Sequence, residues 1–270
     1  MKRSSGSEFI FQIFSLLISI LIVHAVYVAV IRPNAEALLQ QQEAQQQAGS
    51  EISTQRSLYI VLKDYEQETC FILMFWVLLI MAFKAKKTVH ETSMLNFSVL
   101  NIQQGTKVLP EDANSLCRPI ENLSKDKQVL LLPRTILIAL KRFIATENIA
   151  AVATAIKDTC DSEADRLDSE LAMVRYISWA IPSIGFIGTV RGIGEALGQA
   201  HKAVEGDIIG VTNSLGVAFN STFIALVISI FIMFFTHQLQ LFQERHVQNT
   251  QDYCDENLLN HLKIDGSEEC

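Results

Sequence analysis

The 270-residue chain lacks the short motifs that mark the common catalytic and metal sites. It contains no HExxH pair, no GxSxG turn and no CxxC spacing, and its six histidines and five cysteines are scattered. These absences argue against a zinc peptidase, a serine hydrolase, a disulfide framework and a cysteine-ligated metal. We therefore expect a chain that is not an enzyme and that has no catalytic residue, no bound metal and no cofactor.

Basic residues are also scarce. Lys and Arg together number 22 against 29 Asp and Glu, which gives a formal net charge of -7. A nucleic-acid-binding domain presents an excess of positive charge on one face. We therefore expect no nucleic-acid partner.

Charge is absent or sparse in four long apolar blocks. No residue between Glu8 and Arg32 is charged, and this stretch can cross a hydrocarbon core about 30 Å thick at about 1.5 Å per residue. A signal peptide would have a shorter apolar part and a small-residue cleavage site. Three further blocks follow at Thr69–Phe83, Tyr176–Ala200 and Ile208–Phe235. The sequence predicts an all-α membrane protein with four transmembrane helices.

Positive residues set the predicted orientation. Basic residues precede the first block at Lys2 and Arg3 and follow the second at Lys84, Lys86 and Lys87. Positive residues mark the cytoplasmic side, so both chain termini are predicted to be cytoplasmic. The predicted division is a transmembrane helix at 1–32, a periplasmic loop at 33–68, a transmembrane helix at 69–84, a helical cytoplasmic domain at 85–170, the third and fourth transmembrane helices at 171–245, and a cytoplasmic tail at 246–270.

The cytoplasmic stretch is predicted to be helical. The segment LPRTILIALKRFIATENIAAVATAIKD repeats apolar residues at spacings of three and four, as one amphipathic helix with Pro133 in its first turn would. The acidic segment that follows runs without proline or glycine into the third span. Its charges indicate either a solvated face or a docking surface for a cytoplasmic partner. The last apolar block is predicted to continue as a helix to about Arg245.

Glycine is concentrated in the third span. Gly185, Gly188 and Gly192 share one side of that helix, and the fourth span carries a comparable series of small residues that includes Ser214, Ala218, Ser221, Thr222, Ala225 and Ser229. Small residues let two helix backbones approach closely inside a bilayer, where apolar burial does not drive association. The two stripes predict either a tight helix pair or the wall of a narrow polar path.

The order of residues in these two spans resembles the MotA/TolQ/ExbB proton-channel family. The first signature helix is matched at Pro182, Gly185, Gly188, Thr189 and Gly192, and the second at Ala218, Phe219, Thr222 and Ala225. The motif resemblance covers about residues 170 to 245. It implies that 171–245 is the channel core of a stator-type subunit of the bacterial cytoplasmic (inner) membrane, with five copies in a ring.

The resemblance also implies a partner and an ion pathway. In the family, two copies of a single-span partner, similar to MotB, ExbD and TolR, carry the aspartate that takes up the ion. This chain has no Asp or Glu in the middle of any span, so it depends on a carboxylate from such a partner. By motif match, Thr189 and Thr222 line the ion pathway with Gly188 and Ala218 beside them. The alternative is that each hydroxyl bonds a carbonyl of its own helix.

Other matched residues are predicted to shape the helices. Pro182 indicates either a hinge in the third span or a proline at the start of that helix. The small residues predicted to serve packing are Gly185, Gly192, Ser214 and Ala225. The family has an uncharged residue at the position of Arg191, and an ion pair with Glu195 at the external mouth is the expected reason for its presence here.

The function predicted from these features is that of an ion-channel subunit of a membrane motor. The subunit would convert ion motive force into mechanical work, carrying H+ or Na+. The alternative is a non-conducting oligomeric membrane scaffold that uses the same small-residue faces only to associate. A secondary transporter is disfavoured because the sequence shows no self-similar halves.

Overall fold

The structure is a computed structural model that describes residues 5–47, 57–96, 100, 107–204, 206 and 208–264. The basic residues at 2 and 3, part of the predicted periplasmic loop (48–56), two residues of the turn before the fourth span (205 and 207) and the end of the predicted tail (265–270) lie outside the described residues. Apart from an isolated bridge between Val108 and Leu262, the regular structure of the described part is helical. This confirms the all-α prediction.

The described residues form a series of helices. In chain order they are α1 (Ser5–Val26), a π-helical segment (Tyr27–Ile31), α2 (Arg32–Gln47), α3 (Leu58–Leu62), α4 (Tyr65–Thr92), a 3₁₀ turn (Ser93–Asn96), α5 (Pro110–Glu121), α6 (Lys125–Gln128), α7 (Leu131–Thr146), α8 (Ile149–Glu170), α9 (Ala172–Gly198), α10 (Ala200–Val204), α11 (Ile209–Asn257) and a 3₁₀ turn (Leu259–His261).

Four helical stretches within the described residues are long and apolar enough to cross a membrane. They are Glu8–Gln41, Tyr65–Leu95, Ile149–Gly198 and Ile209–His261. Each covers all or nearly all of one of the four apolar blocks, so the number and place of the candidate spans agree with the sequence prediction. The first stretch passes through the π-helical turn, where the N–H of Arg32 bonds the carbonyl of Tyr27. This turn lies directly before Pro33, which has no N–H to continue an α-helical pattern.

The chain forms two compact units. The first unit comprises Met1–Ala82 and Met173–Thr236, and the second comprises Phe83–Ala172 and His237–Cys270. In the first unit many large apolar side chains point outward, among them Phe14, Phe186 and Phe223. A water-soluble domain rarely exposes apolar surface on this scale, whereas a lipid-facing surface requires it. This distribution supports the identification of a membrane protein.

The second unit has an apolar core of its own. The buried side chains of this core come from α5, α7, α8 and the end of α11. Ile136, Phe143 and Ile156 are among the largest of them. The segment that follows α11 is held by backbone hydrogen bonds, from Val108 N to His261 O at 2.8 Å and from Lys263 N to Val108 O at 3.0 Å. These contacts explain why α11 extends to Asn257 and does not stop near Arg245: its end contributes to this core.

One predicted helix is divided into two. The segment predicted as a single amphipathic helix breaks after Thr146, where Glu147 adopts the left-handed conformation (φ 47°). Asn148 then caps α8 by accepting a hydrogen bond from Ala151 N at 3.2 Å. Asparagine is a favoured helix N-cap, so the sequence Glu147-Asn148 ends one helix and begins the next. Pro133 lies in the first turn of α7, as predicted.

Candidate functional site

Helix α9 packs its glycine face directly on α11. Gly185, Gly188 and Gly192 are all buried. A methyl group at Gly192 would lie 2.6 Å from the carbonyl oxygen of Ser214 and 2.7 Å from the amide nitrogen of Ala218. Both are backbone atoms, which cannot rotate away as a side chain can. The two helices therefore approach as closely as the small residues permit.

The partners of these glycines on α11 are the predicted small residues. Ser214, Ala218 and Ala225 are buried, with exposed fractions of 6%, 1% and 0%. Gly185 meets Ala225 and the backbone of the turn before it, and Gly188 meets Ser221. The packing residues taken from the sequence thus lie together in one contact between α9 and α11.

The hydroxyl groups of Thr189 and Thr222 meet within this contact and are hydrogen-bonded to each other. Thr222 also donates across to the carbonyl of Gly185 on α9 at 3.0 Å. Thr189 lies 3.1 Å from the carbonyl of Ala218 on α11 and 3.3 Å from the carbonyl of Gly185 in its own helix. The shortest carbonyl contacts of both hydroxyls therefore cross between the helices.

This arrangement leaves hydrogen-bond acceptors at the surface of the contact. A hydroxyl group has one proton and two lone pairs; Thr222 donates its proton to the carbonyl of Gly185, so the bond between the two threonines uses the proton of Thr189 and occupies one of the four lone pairs. The remaining lone pairs of Thr189 and Thr222 can accept from water or a hydrated proton, or can ligate Na+. Both threonines are half-buried in the single chain, so this part of the contact is partly open.

Pro182 lies inside α9, ten residues after its first residue Ala172, and not in the first turn. Of the two sequence interpretations, a proline at the start of the helix does not fit this position. The carbonyl of the preceding residue, Ile181, is 3.8 Å from the thiol of Cys70 on α4, a weak donor. A hinge at Pro182 stays a prediction.

Three consecutive residues in the first turn of α4 each contact a different helix. Glu66 pairs with Arg191 of α9, and Gln67 donates to the Ser221 hydroxyl of α11 at 3.4 Å. Glu68 pairs with Arg32 at the start of α2, and its other oxygen is 2.6 Å from Nδ1 of His24 in α1. Successive helical residues point about 100° apart, which lets one turn reach several neighbours.

Arg191 has two carboxylate partners. Its guanidinium contacts both oxygens of Glu66, with Nε–Oε1 at 2.8 Å and Nη2–Oε2 at 2.9 Å. The contact with Glu195, which the sequence suggested, is longer and single, at 3.4 Å. Bidentate arginine–carboxylate pairs are the stronger kind, so Glu66 is the principal partner. Nearby Asp64 has a raised pKa because burial disfavours its charged form, although Lys63 and Arg191 oppose that shift.

The role of Glu66, Gln67 and Glu68 was missed from sequence. The second span was predicted to begin at the uncharged Thr69, which assigned these three residues to the preceding loop. The helix begins four residues earlier, at Tyr65. Two acids that flank an amide directly before an apolar block, together with arginines at the ends of two other apolar blocks, Arg32 and Arg191, are the signal that could have indicated ion pairs here.

The comparisons with known proteins bear on the same region. Residues 130–252 match the model of the MotA/TolQ/ExbB proton channel family. The match contains all of α7 to α10 and most of α11, so it begins well before the two helices on which the sequence resemblance rested. No curated protein and no solved structure matches the chain. Residues 130–252, a little under half of the chain, are therefore similar to the MotA/TolQ/ExbB proton channel family.

Proposed function

We propose that this chain is the ion-conducting subunit of a membrane motor, and that the threonine pair at the contact of α9 and α11 lines its ion pathway. The observation that carries the proposal is the meeting of Thr189 and Thr222 across the glycine contact, with their remaining lone pairs left as acceptors. Gly188 and Ala218 make that meeting possible, since each has no side chain beyond a methyl group to separate the helices.

The carboxylate of the pathway is proposed to come from a second protein. The apolar stretches 9–31, 69–83, 172–190 and 209–236 contain no Asp or Glu. Proton-driven machines use an intramembrane carboxylate as the relay, so we infer a single-span partner that brings an aspartate beside the threonines. The transported ion is H+ or Na+, because hydroxyl oxygens suit both.

We infer that several copies of the chain surround that partner, five copies around two partner helices by analogy with the family. The exposed apolar side chains of α9 and α11, such as Phe186, Val190, Phe219 and Phe223, provide surface for neighbouring copies, partner helices and lipid. A purely associating scaffold would keep its small-residue faces free for other subunits. Here Gly185, Gly188 and Gly192 face α11 of the same chain, which favours the channel over the scaffold.

The proposed orientation has both termini in the cytoplasm of a bacterial cell, and the chain in the inner membrane. The basic residues after the second apolar block, Lys84, Lys86 and Lys87, support this orientation. The second unit, which includes residues 85–170, would then be cytoplasmic, and the first turn of α4 with Glu66 and Glu68 would face the periplasmic side.

The experiment is ion flux into liposomes. The tagged chain is purified together with the single-span protein that accompanies it, and H+ and Na+ gradients are applied separately. We expect Thr222→Val and Thr189→Val, which keep the side-chain shape but remove the hydroxyl, to lower flux by roughly tenfold, the equivalent of one hydrogen bond to a charged group. Thr222→Ser and Thr189→Ser keep the hydroxyl and should retain most of the flux.

Thr236 provides the matched control. It lies on α11 and its hydroxyl bonds Ile232 O of the same helix at 2.8 Å, so Thr236→Val should conduct as the wild type does. Unchanged flux in the valine variants of Thr189 and Thr222 would remove the role assigned to the hydroxyls. A wild-type complex that conducts no more than empty liposomes would contradict the channel itself.

A further inference from the structure

The ion pair between Glu66 and Arg191 lies beside a residue of the proposed ion pathway. A methyl group at Gly188 would lie 3.1 Å from Cγ of Glu66, so the stem of that glutamate rests on the α9 backbone directly before Thr189. Glu66 lies in the first turn of α4, and the uncharged stretch 69–83 begins three residues later. It therefore brings a carboxylate of this chain to the edge of the threonine contact, at one end of a spanning segment.

Arg191 covers this carboxylate. Residues three apart on a helix share one side, so Arg191 lies on the same side of α9 as Gly188. Its contacts with Glu66, at 2.8 and 2.9 Å, use both carboxylate oxygens. The side chain of Glu66 is 12% exposed, while that of Arg191 is 39% exposed. The positive member of the pair is therefore the one more open to solvent and to an approaching ion.

The pair belongs to a group of five charged residues at this end of the first unit, in which the other four act electrostatically on Asp64. The members are Lys63, Asp64, Glu66, Arg191 and Glu195. Helix α11, on the other side of the glycine contact, has no charged residue in the stretch 209–236. The formal charges of the group are two positive and three negative. Removing the charge of Arg191 makes the group more negative, and removing the charge of Glu66 makes it neutral.

Charges at the mouth of a pathway change how often ions enter it. A fixed negative charge raises the local concentration of cations, and a fixed positive charge lowers it. The effect extends over about one Debye length, so it is strong in dilute salt and weak in concentrated salt. Because Glu66 rests on Gly188, its pair with Arg191 lies close enough to the threonine contact to act in this way.

We propose that the pair of Arg191 and Glu66 controls the entry of cations into the ion pathway from the outer side. Arg191 keeps both oxygens of Glu66 from binding the ion, and it places a positive charge at the mouth. Glu66 fixes the arginine in this position and neutralises its charge. Entry is then slower than the carboxylates alone would allow, and faster than an unpaired arginine would allow. This inference rests on the proposed function, since it assumes that the chain conducts cations.

The flux assay with liposomes tests the pair through charge variants. Complexes that elute as one folded species are reconstituted in equal amounts. We expect Arg191→Gln to raise flux and Glu66→Gln to lower it, each by roughly threefold, the effect of one unit charge acting through water over several ångströms. The double variant loses both charges and should conduct within a factor of two of the wild type. A pair that only fastens α4 to α9 would be broken equally in the two single variants, so both would change flux in the same direction.

Ionic strength separates a charge effect from a packing effect. Flux is measured with choline chloride on both sides of the membrane, at about 0.01 M and at about 1 M, where the Debye length falls from about 30 Å to about 3 Å. We expect the differences between the single variants and the wild type to shrink at the higher concentration. A change in packing would persist there.

A charge in the second unit provides the matched control. Lys141 pairs with Glu121 at 2.9 Å, and both side chains are about half exposed. Lys141→Gln also removes one positive charge and one ion pair, and it should conduct as the wild type does. If the wild type conducts but Arg191→Gln does not exceed it in dilute salt, or if both single variants shift flux the same way, this inference alone is wrong. A wild type that does not conduct would contradict the proposed function and this inference with it.

Discussion

Replacing Gly192 by alanine tests the close contact of α9 with α11. The added methyl group would lie 2.6 Å from the carbonyl oxygen of Ser214 and within 2.9 Å of the Ala218 methyl carbon. Relief requires moving one helix backbone, so the cost of overpacking lies in the upper part of its usual range, at about 2–3 kcal/mol. Alanine regains up to about 1 kcal/mol of helix propensity over glycine. The net loss expected for Gly192→Ala is therefore about 1–2 kcal/mol.

The assay is thermal unfolding of the purified chain in one detergent, followed by circular dichroism. A loss of this size lowers Tm by roughly 2–8 °C in a protein of this length. Gly194→Ala is the matched control, because a methyl group at Gly194 meets no atom within 4 Å. It should leave Tm unchanged or raise it slightly. If Gly192→Ala is as stable as Gly194→Ala, the helices do not pack as described.

Three other predictions concern ion pairs and a turn. Glu66→Gln should lower Tm more than Glu195→Gln, since Glu66 binds Arg191 through both oxygens and Glu195 is more exposed; equal effects would refute the ranking. Burial alone would raise the pKa of Glu163, but the hydrogen bond and charge of Arg166, with Arg134, hold that pKa below its usual range. The resulting stability is present above about pH 4.3, the unfolded value, and is lost as pH falls through the folded pKa. Glu163→Gln should therefore flatten the fall of the unfolding midpoint between about pH 5 and 3, and an unchanged slope would contradict this assignment. Glu147→Gly should raise stability by about 1 kcal/mol in chemical unfolding, because glycine adopts the left-handed conformation without strain; a loss would show that the Glu147 side chain stabilises the turn.

The sequence predicted those parts of the fold that depend on local patterns. Long apolar blocks identify spanning helices because length and hydropathy decide membrane insertion, and small residues at fixed spacing identify a close helix contact. The sequence therefore identified the two small-residue stripes and the two threonines, whereas the contact of Gly192 with Ser214 and Ala218 and that of Thr189 with Thr222 come from the structure.

The ion pairs could not be predicted in the same way. Glu66 and Arg191 are 125 residues apart in sequence, and no periodic pattern connects them. Their pairing depends on where α4 begins, and helix ends are poorly determined by composition when charged residues flank an apolar block.

Imaging of single particles of the purified complex in a lipid nanodisc measures the arrangement on which the proposed function depends. We expect several copies of the chain in a closed ring, five by analogy with the family, with Thr189 and Thr222 on its inner wall against the helix of a different protein. A lone monomer, or a ring in which these two threonines face lipid, would contradict the proposal.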